Sequence, residues 1–244
     1  MPGTAGKTSA QPGLGWREPM SEDDEDGAAN PPDRAGTRRT ARLEAFSDGI
    51  FAFAITLLVL DLAIPAASHS ERHILDEVGH GWPGYLGYVV SFSTIGALWL
   101  GHSAVTEYLD HADVTLMRLN LLLLLFVSFL PFPTRLISDY VDTDQGERVA
   151  VTFYGVTLLV TATLLSLLWR YARHAGLVRP DARDQEITLL TRRLTPGIGG
   201  YGALIVLGLF RPVAAIVGYL AIAVFFLLPL RPHLLKRLRS RRIL

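Results

Sequence analysis

The chain has 244 residues, half of them apolar (50%), and a mean hydropathy of +0.30. Its formal net charge is zero, so no bulk basic character points to a nucleic-acid partner. It has no cysteine, which excludes disulfides, thiolate metal sites and cysteine nucleophiles. The apolar residues gather into blocks of roughly membrane-spanning length, which predicts an integral membrane protein in a lipid bilayer.

The two ends of the chain are polar. Residues 1–38 are rich in glycine and proline and include an acidic run at 21–26, with too few apolar residues to form a core. We predict a disordered cytoplasmic tail there, because such a composition cannot offset the entropy of folding. Residues 233–244 are strongly basic, and we predict a second cytoplasmic tail. The transmembrane domain is then expected over residues 39–232.

Six apolar blocks lie between these tails, each close to the length that crosses about 30 Å of hydrocarbon at about 1.5 Å per residue. They run from Phe46 to Ile64, Gly84 to His102, Val114 to Leu130, Val149 to Trp169, Leu194 to Phe210 and Val213 to Leu230. The third is expected to end at Pro131, and only Arg211-Pro212 separates the last two. Apolar runs such as 121–125 do not alternate with polar residues, which favours helices over barrel strands. The sequence therefore predicts an all-α fold with six transmembrane helices.

Lysine and arginine placement predicts the orientation. With the N-terminus in the cytoplasm, 19 of the 23 Lys and Arg residues fall in or beside cytoplasmic segments. The remaining four are Arg72, Arg135, Arg148 and Arg211. Because cytoplasmic loops carry an excess of positive charge, we predict that both termini are cytoplasmic.

Asp48 is an unusual residue, because it is ionisable and lies inside the first apolar block. Arg42 precedes it by six residues, so at about 100° per residue the two side chains leave the helix on different sides, and an i,i+4 pair is excluded. His102 and Asn120 are expected at the same depth on other helices. We hypothesise a polar network of Arg42, Ser47, Asp48, His102 and Asn120. The alternative is that Asp48 and Arg42 only reach to the membrane surface.

One stripe of the first block combines apolar groups with a single hydroxyl. It contains Phe46, Gly49, Phe53, Thr56, Leu57 and Leu60, which fall within about 100° on a helical wheel. Such a stripe can line a pore where several copies meet on an axis. It can equally be an ordinary contact between helices.

Enzymatic motifs are missing from the sequence. There is no Walker loop, no G-x-S-x-G elbow and no metal-ligand spacing of histidines; His69, His73 and His80 lie in the first loop without ligand-like spacing among its acidic residues. We predict that the chain is not an enzyme and needs no cofactor.

Two ordered stretches resemble one family. Residues 42–65 open with the R-x-x-x-F-S-D signature at Arg42, Phe46, Ser47 and Asp48. The second stretch, 99–135, has Trp99, His102, Asp113 and Asn120, and ends in P-F-P at 131–133. Both resemble the endosomal/lysosomal transmembrane potassium channel family, in its bacterial branch with a single six-helix unit per chain.

The resemblance implies a function and an assembly. Members of that family are cation channels that favour potassium, lack the T-V-G-Y-G filter and assemble, in the bacterial branch, as homotetramers. Carried over by motif position, the constriction falls on Phe53, a threonine layer on Thr56, and further pore lining on Leu57 and Leu60. The signature polar network falls on Arg42, Phe46, Ser47, Asp48, His102 and Asn120. No fixed metal is expected, only permeant K⁺ passing near Thr56.

The sequence departs from the family at two positions. The constriction is usually isoleucine or leucine and here is Phe53, which could close the pore more tightly or offer a cation–π contact. A second histidine often follows the first, and here Ser103 takes its place. Two other classes stay open: a proton-coupled or other small-solute transporter, and a membrane scaffold that does not conduct.

Overall fold

The computed structural model describes Gly3 and residues 34–62, 81–140 and 144–228. The predicted C-terminal tail, most of the predicted N-terminal tail and the three histidines of the first loop lie outside these ranges. Eight α-helices account for most of the described residues. They are α1 (Arg34–Leu57), α2 (Trp82–Glu107), α3 (Val114–Phe129), α4 (Pro131–Tyr140), α5 (Asp144–His174), α6 (Asp184–Leu194), α7 (Pro196–Phe210) and α8 (Pro212–Leu227).

The helices fit the predicted all-α membrane fold. Five continuous helical paths are long and apolar enough to span a bilayer, and they cover Arg39–Leu60, Trp82–Glu107, Val114–Tyr140, Gln145–His174 and Asp184–Phe210. The sixth predicted span is the shorter apolar helix α8, Pro212–Leu227. Among the described residues the β structure is limited to an isolated bridge between Leu109 and Val178. By length and composition, five helical paths among the described residues can therefore cross a bilayer, and α8 is a sixth, shorter apolar helix at the place of the sixth predicted span.

The first helix is longer than its apolar block and changes geometry at its far end. It begins at Arg34 instead of Phe46, and its α-helical part stops at Leu57. Leu58–Leu62 continue as a 3-10 helix, which turns about 120° per residue instead of about 100°. Leu60 therefore lies on a tighter turn than the helical wheel of the sequence assumed.

The prolines after the third block do not end the helical path, which corrects one expectation. Helix α3 stops at Phe129, Leu130 forms a turn, and α4 begins at once at Pro131. Proline is tolerated in the first turn of a helix because the N–H groups there have no intrahelical acceptor. Residues 131–133 thus begin a new helix that continues to Tyr140.

Helices α2 and α5 form the centre of the bundle. Helix α2 packs on α8, α4 and α5, while α5 packs on α7, α3 and α4. Gly155 of α5 permits the close approach of α8, because a Cβ there would collide with the Tyr219 hydroxyl. The Tyr154 and Tyr219 rings meet beside it, with centroids 5.6 Å apart, and both residues are fully buried. This packing leaves α1 at the side of the bundle, with one face against α2 and α3.

Candidate functional site

The first helix has a buried face and an exposed face. Residues at intervals of three and four are buried on α1 and its 3-10 extension: Leu43, Ser47, Phe51, Ala54 and Leu58. The spacing is that of an amphipathic helix packed along one stripe, although here both faces are largely apolar. Every predicted pore residue lies away from this stripe.

Ser47 joins α1 to α2 and α3 through a buried chain of hydrogen bonds. Asn120 of α3 donates from Nδ2 to Ser47 Oγ at 2.9 Å, and its Oδ1 lies 2.8 Å from His102 Nε2 of α2. Ser47 in turn donates to the carbonyl of Leu43, 2.7 Å away. At most 2% of Ser47, His102 or Asn120 is exposed. Three helices are therefore tied at one point by polar groups that have no water to compensate them.

The direction of each hydrogen bond in this chain is fixed by its neighbours. Asn120 Oδ1 can only accept, so His102 Nε2 carries a proton and donates. The hydroxyl proton of Ser47 goes to Leu43, which leaves the Ser47 oxygen to accept from Asn120. The His102 ring also packs on Phe51, with ring centroids 5.5 Å apart. The histidine thus contacts α1 directly at Phe51 and is linked to Ser47, one turn earlier, through Asn120.

Asp48 lies outside this chain and has a different partner. Its Oδ1 accepts a hydrogen bond of 2.8 Å from Trp99 Nε1 of α2. Arg42 is exposed, and within the described residues it makes no hydrogen bond or ion pair. The structure thus brings Ser47, His102 and Asn120 together, pairs Asp48 with Trp99, and leaves Arg42 apart. Trp99 was quoted in the family resemblance without a role, and its place three residues before His102 was the available signal.

The predicted pore residues lie on the free face of α1. The exposed fractions of Phe46, Phe53 and Leu60 are 53%, 59% and 68%. Thr56 is also exposed, while Leu57 is mostly buried. A Cβ placed on Gly49 would meet nothing within 4 Å. The described residues of a single chain therefore leave a continuous apolar stripe, with one hydroxyl in it, uncovered.

The Thr56 hydroxyl has a defined orientation within this stripe. It donates to the carbonyl of Phe53, three residues earlier, at 2.8 Å. Because its proton is used by the backbone, the oxygen lone pairs stay available to accept. A hydroxyl held in this way can coordinate a cation, as a carbonyl oxygen does. Within the described ranges no group of three or more His, Asp or Glu residues is placed to hold a metal ion.

These features define a class: a helical membrane protein whose first helix is anchored by a buried polar chain on one side and presents a free stripe on the other. A sequence profile of the family described as "Endosomal/lysosomal potassium channel TMEM175" matches residues 42–131. The matched range includes the whole polar chain and both faces of α1 from Arg42 onward.

Individual relatives agree with that family. A protein of Streptomyces collinus named as a potassium channel is 37% identical over 163 residues, which cover 66% of this chain and 79% of the relative. The crystal structure of a lysosomal potassium-selective channel TMEM175 homolog from Chamaesiphon minutus superposes with a TM-score of 0.70 at 31% identity, over 78% of this chain and 97% of that one. A Gallus gallus protein named as an endosomal/lysosomal proton channel is 32% identical over 138 residues, 54% of this chain and 28% of the relative. The chain belongs to the TMEM175 family.

Proposed function

We propose that the chain is a potassium-selective channel that conducts passively through a central pore, lined by α1 from each of four subunits. Family membership and the names of the bacterial relatives support potassium as the permeant ion. The observation that carries the assembly is the uncovered stripe of Phe46, Phe53, Thr56 and Leu60. The Thr56 hydroxyl and Gly49 would gain nothing from contact with lipid. On a shared axis, copies of these residues from different subunits would face one another.

Phe53 is the proposed constriction. More than half of its side chain is exposed, and it lies one turn before Thr56 on the same face. A ring of four such side chains would make a narrow apolar gate, which can stop ions by excluding water. Splaying of α1 at this position would widen it, so Phe53 is the expected gate.

Thr56 is the proposed selectivity layer. Its hydroxyl donates to the Phe53 carbonyl and keeps its lone pairs free, so four copies could replace part of the hydration shell of a passing K⁺. A single ring of hydroxyls is a weaker arrangement than a cage of carbonyls. Modest preference for potassium over sodium is therefore expected.

The buried chain sets the rotation of α1 in this mechanism. Ser47 is tied to Asn120, and Phe51 packs on His102, so the helix cannot turn without breaking polar contacts inside the membrane. Fixing these residues toward the bundle fixes Phe53 and Thr56 on the opposite side. We expect this chain to hold the pore in register rather than to bind the ion.

The proposed setting is the cell membrane, with both termini in the cytoplasm. The support is the excess of Lys and Arg on that side of the six crossings. In this orientation Ser47 and His102 lie toward the cytoplasmic end of the pore, and Leu60 toward the outer end. No cofactor is proposed beyond the permeant K⁺.

Proton passage through the same pore is the second candidate. It is favoured by the animal relative that is named as a proton channel and matches this chain over 28% of its own length. A proton conductance would use water in the pore and need no further residue.

The deciding experiment uses purified full-length protein in liposomes under a K⁺ gradient, with Na⁺ and proton gradients as parallel arms. We expect K⁺ flux that exceeds Na⁺ flux, and a particle mass in detergent of four chains. Proton flux without K⁺ flux would favour the second candidate. A monomeric particle that passes none of the three ions would instead favour a scaffold, and flux of one ion that requires a gradient of another would favour a transporter.

A further inference from the structure

A cavity of about 370 Å³ lies on the other side of α2 from the polar chain. Residues of α2, α5, α6, α7 and α8 line it, and nearly all of them are apolar or glycine. Helix α2 contributes small residues there, Ala97, Gly101 and Ala104, which leave room between the helices. At 3.6 residues per turn these three share one side of α2, while Trp99 and His102 leave on the other. The cavity is thus separate from the proposed pore.

Arg193 is the charged residue on the wall of this cavity. Its Nη2 donates to the carbonyls of Phe226 and Leu228, at 2.6 and 3.0 Å. Those two bonds cap the end of α8. The other three of the five guanidinium N–H groups are not used by these carbonyls. One of the three, on Nε, is buried and has no hydrogen-bond partner in the described part of the chain. No carboxylate among the described residues forms a salt bridge with this guanidinium.

We propose that this cavity binds an anionic phospholipid, with part of an acyl chain between α2 and α6 and the phosphate against Arg193. An apolar cavity of this size with one convergent polar group is the usual form of a small-molecule site. Inside a bilayer the apolar solvent is lipid, and basic pockets between transmembrane helices bind anionic headgroups. Guanidinium and phosphate form charge-assisted hydrogen bonds that a zwitterionic headgroup satisfies less well, because it carries its own cation.

Capping of α8 alone does not account for Arg193. The two carbonyls are satisfied by a single nitrogen, so the remaining charge and the buried Nε–H are unmatched within the described residues. A phosphate beside the guanidinium would supply an acceptor for the N–H groups of Nη1, which the two carbonyls do not use. Leu100, also on the wall, is 40% exposed, so the cavity opens toward the surface of the bundle where a lipid can enter.

The test is native mass spectrometry of the purified full-length protein after removal of lipid. It is incubated with an equimolar mixture of phosphatidylglycerol and phosphatidylcholine that carry the same acyl chains. We expect one phosphatidylglycerol to be retained per chain in preference to phosphatidylcholine. Arg193→Gln should lower this retention by about tenfold, since it removes the charge that selects the headgroup.

Two further variants keep the test specific. Arg173→Gln is the matched control, because Arg173 is a basic residue of α5 that donates to Thr191 and does not line the cavity; its retention should equal that of the wild type. Ala97→Trp fills the cavity and should lower retention of both lipids. If Arg193→Gln or Ala97→Trp fails to fold, as judged by size-exclusion elution, the other of these two variants still tests the proposal.

Several outcomes would overturn the proposal. Equal retention of the two lipids by the wild-type protein would show that no headgroup is recognised. Equal losses in Arg193→Gln and Arg173→Gln would show that general surface charge is responsible. Unchanged retention in Ala97→Trp would place the lipid elsewhere. If the wild type retains no lipid, the cavity is covered by another part of the assembly.

Discussion

The two faces of α1 differ in how many of their side chains have partners within the same chain. On the buried face, Ser47 and Phe51 have their partners within the same chain: Asn120 and His102. On the exposed face, more than half of the side chains of Phe53 and Leu60 is left uncovered by the described residues, 59% and 68% respectively. One face is a helix–helix contact within the chain, and the other is the face that we propose to meet other subunits.

This difference gives two kinds of variant. Changes on the buried face should act on stability in a single chain, because the energy lies in contacts that are already made. Under the proposed function, changes on the exposed face should leave stability almost unaltered and act on ion flux, because the proposed partners of this face are other subunits and the ion. The predictions below test this division, beginning with the largest expected effect.

Asn120→Leu should destabilise the protein by about 1–3 kcal/mol, measured by thermal or denaturant unfolding in detergent. The change leaves the His102 Nε2–H without its acceptor and removes the donor to Ser47. Ser128→Ala on the same helix is the control, since the Ser128 hydroxyl is exposed and bonds only to Leu125 of its own helix. An Asn120→Leu protein as stable as the Ser128→Ala protein would mean that the buried chain contributes nothing to the fold.

Phe53→Ala should raise K⁺ flux in liposomes by about tenfold, equivalent to about 1.4 kcal/mol of barrier, because it opens the proposed apolar ring. Phe210→Ala is the matched control: Phe210 is a 72%-exposed phenylalanine at the end of α7, where no pore role is proposed. Both variants should keep the wild-type unfolding temperature. Equal flux in the two variants, whether raised or not, would remove Phe53 from the constriction.

Trp99→Phe should destabilise the protein by less, about 1 kcal/mol or below. The variant keeps an aromatic ring but removes the donor to Asp48, and the bond lies at an exposed position where water compensates part of the loss. Trp82→Phe, at the exposed first residue of the same helix, is the control. A loss of stability as large as that of Asn120→Leu would show that Asp48 and the buried chain act as one network.

The sequence predicted the helices better than their partners. Runs of about 20 apolar residues can form only one kind of element in a bilayer, so the number and type of spans followed from composition. The change to a 3-10 helix at Leu58 and the new helix at Pro131 were not predicted, because both depend on local packing that hydropathy does not report.

The polar contacts were harder to predict. The helical rotation of about 100° per residue predicted that Arg42 and Asp48 leave the helix on different sides. The absence of a contact between them in the structure agrees with this prediction. The partner of Asp48 depends on the relative depth of α1 and α2 to within one turn: Trp99 rather than His102 reaches it. No periodicity in one chain fixes that depth. The role of the exposed face is harder still to predict, since its side chains have few partners among the described residues of the chain.

Thr56→Ala should have the smallest effect: a fall in the K⁺ to Na⁺ flux ratio of about threefold to fivefold, which is under 1 kcal/mol. The loss is small because the variant removes one hydroxyl per subunit and keeps the backbone carbonyls, while the Phe53 carbonyl loses only a local bond. Thr163→Ala on α5 is the control, because that exposed hydroxyl also bonds back to its own helix, at Leu159. Total K⁺ flux should stay near the wild-type value in both variants. An unchanged ratio in Thr56→Ala would move selectivity away from the exposed face of α1, even if Phe53 still gates it.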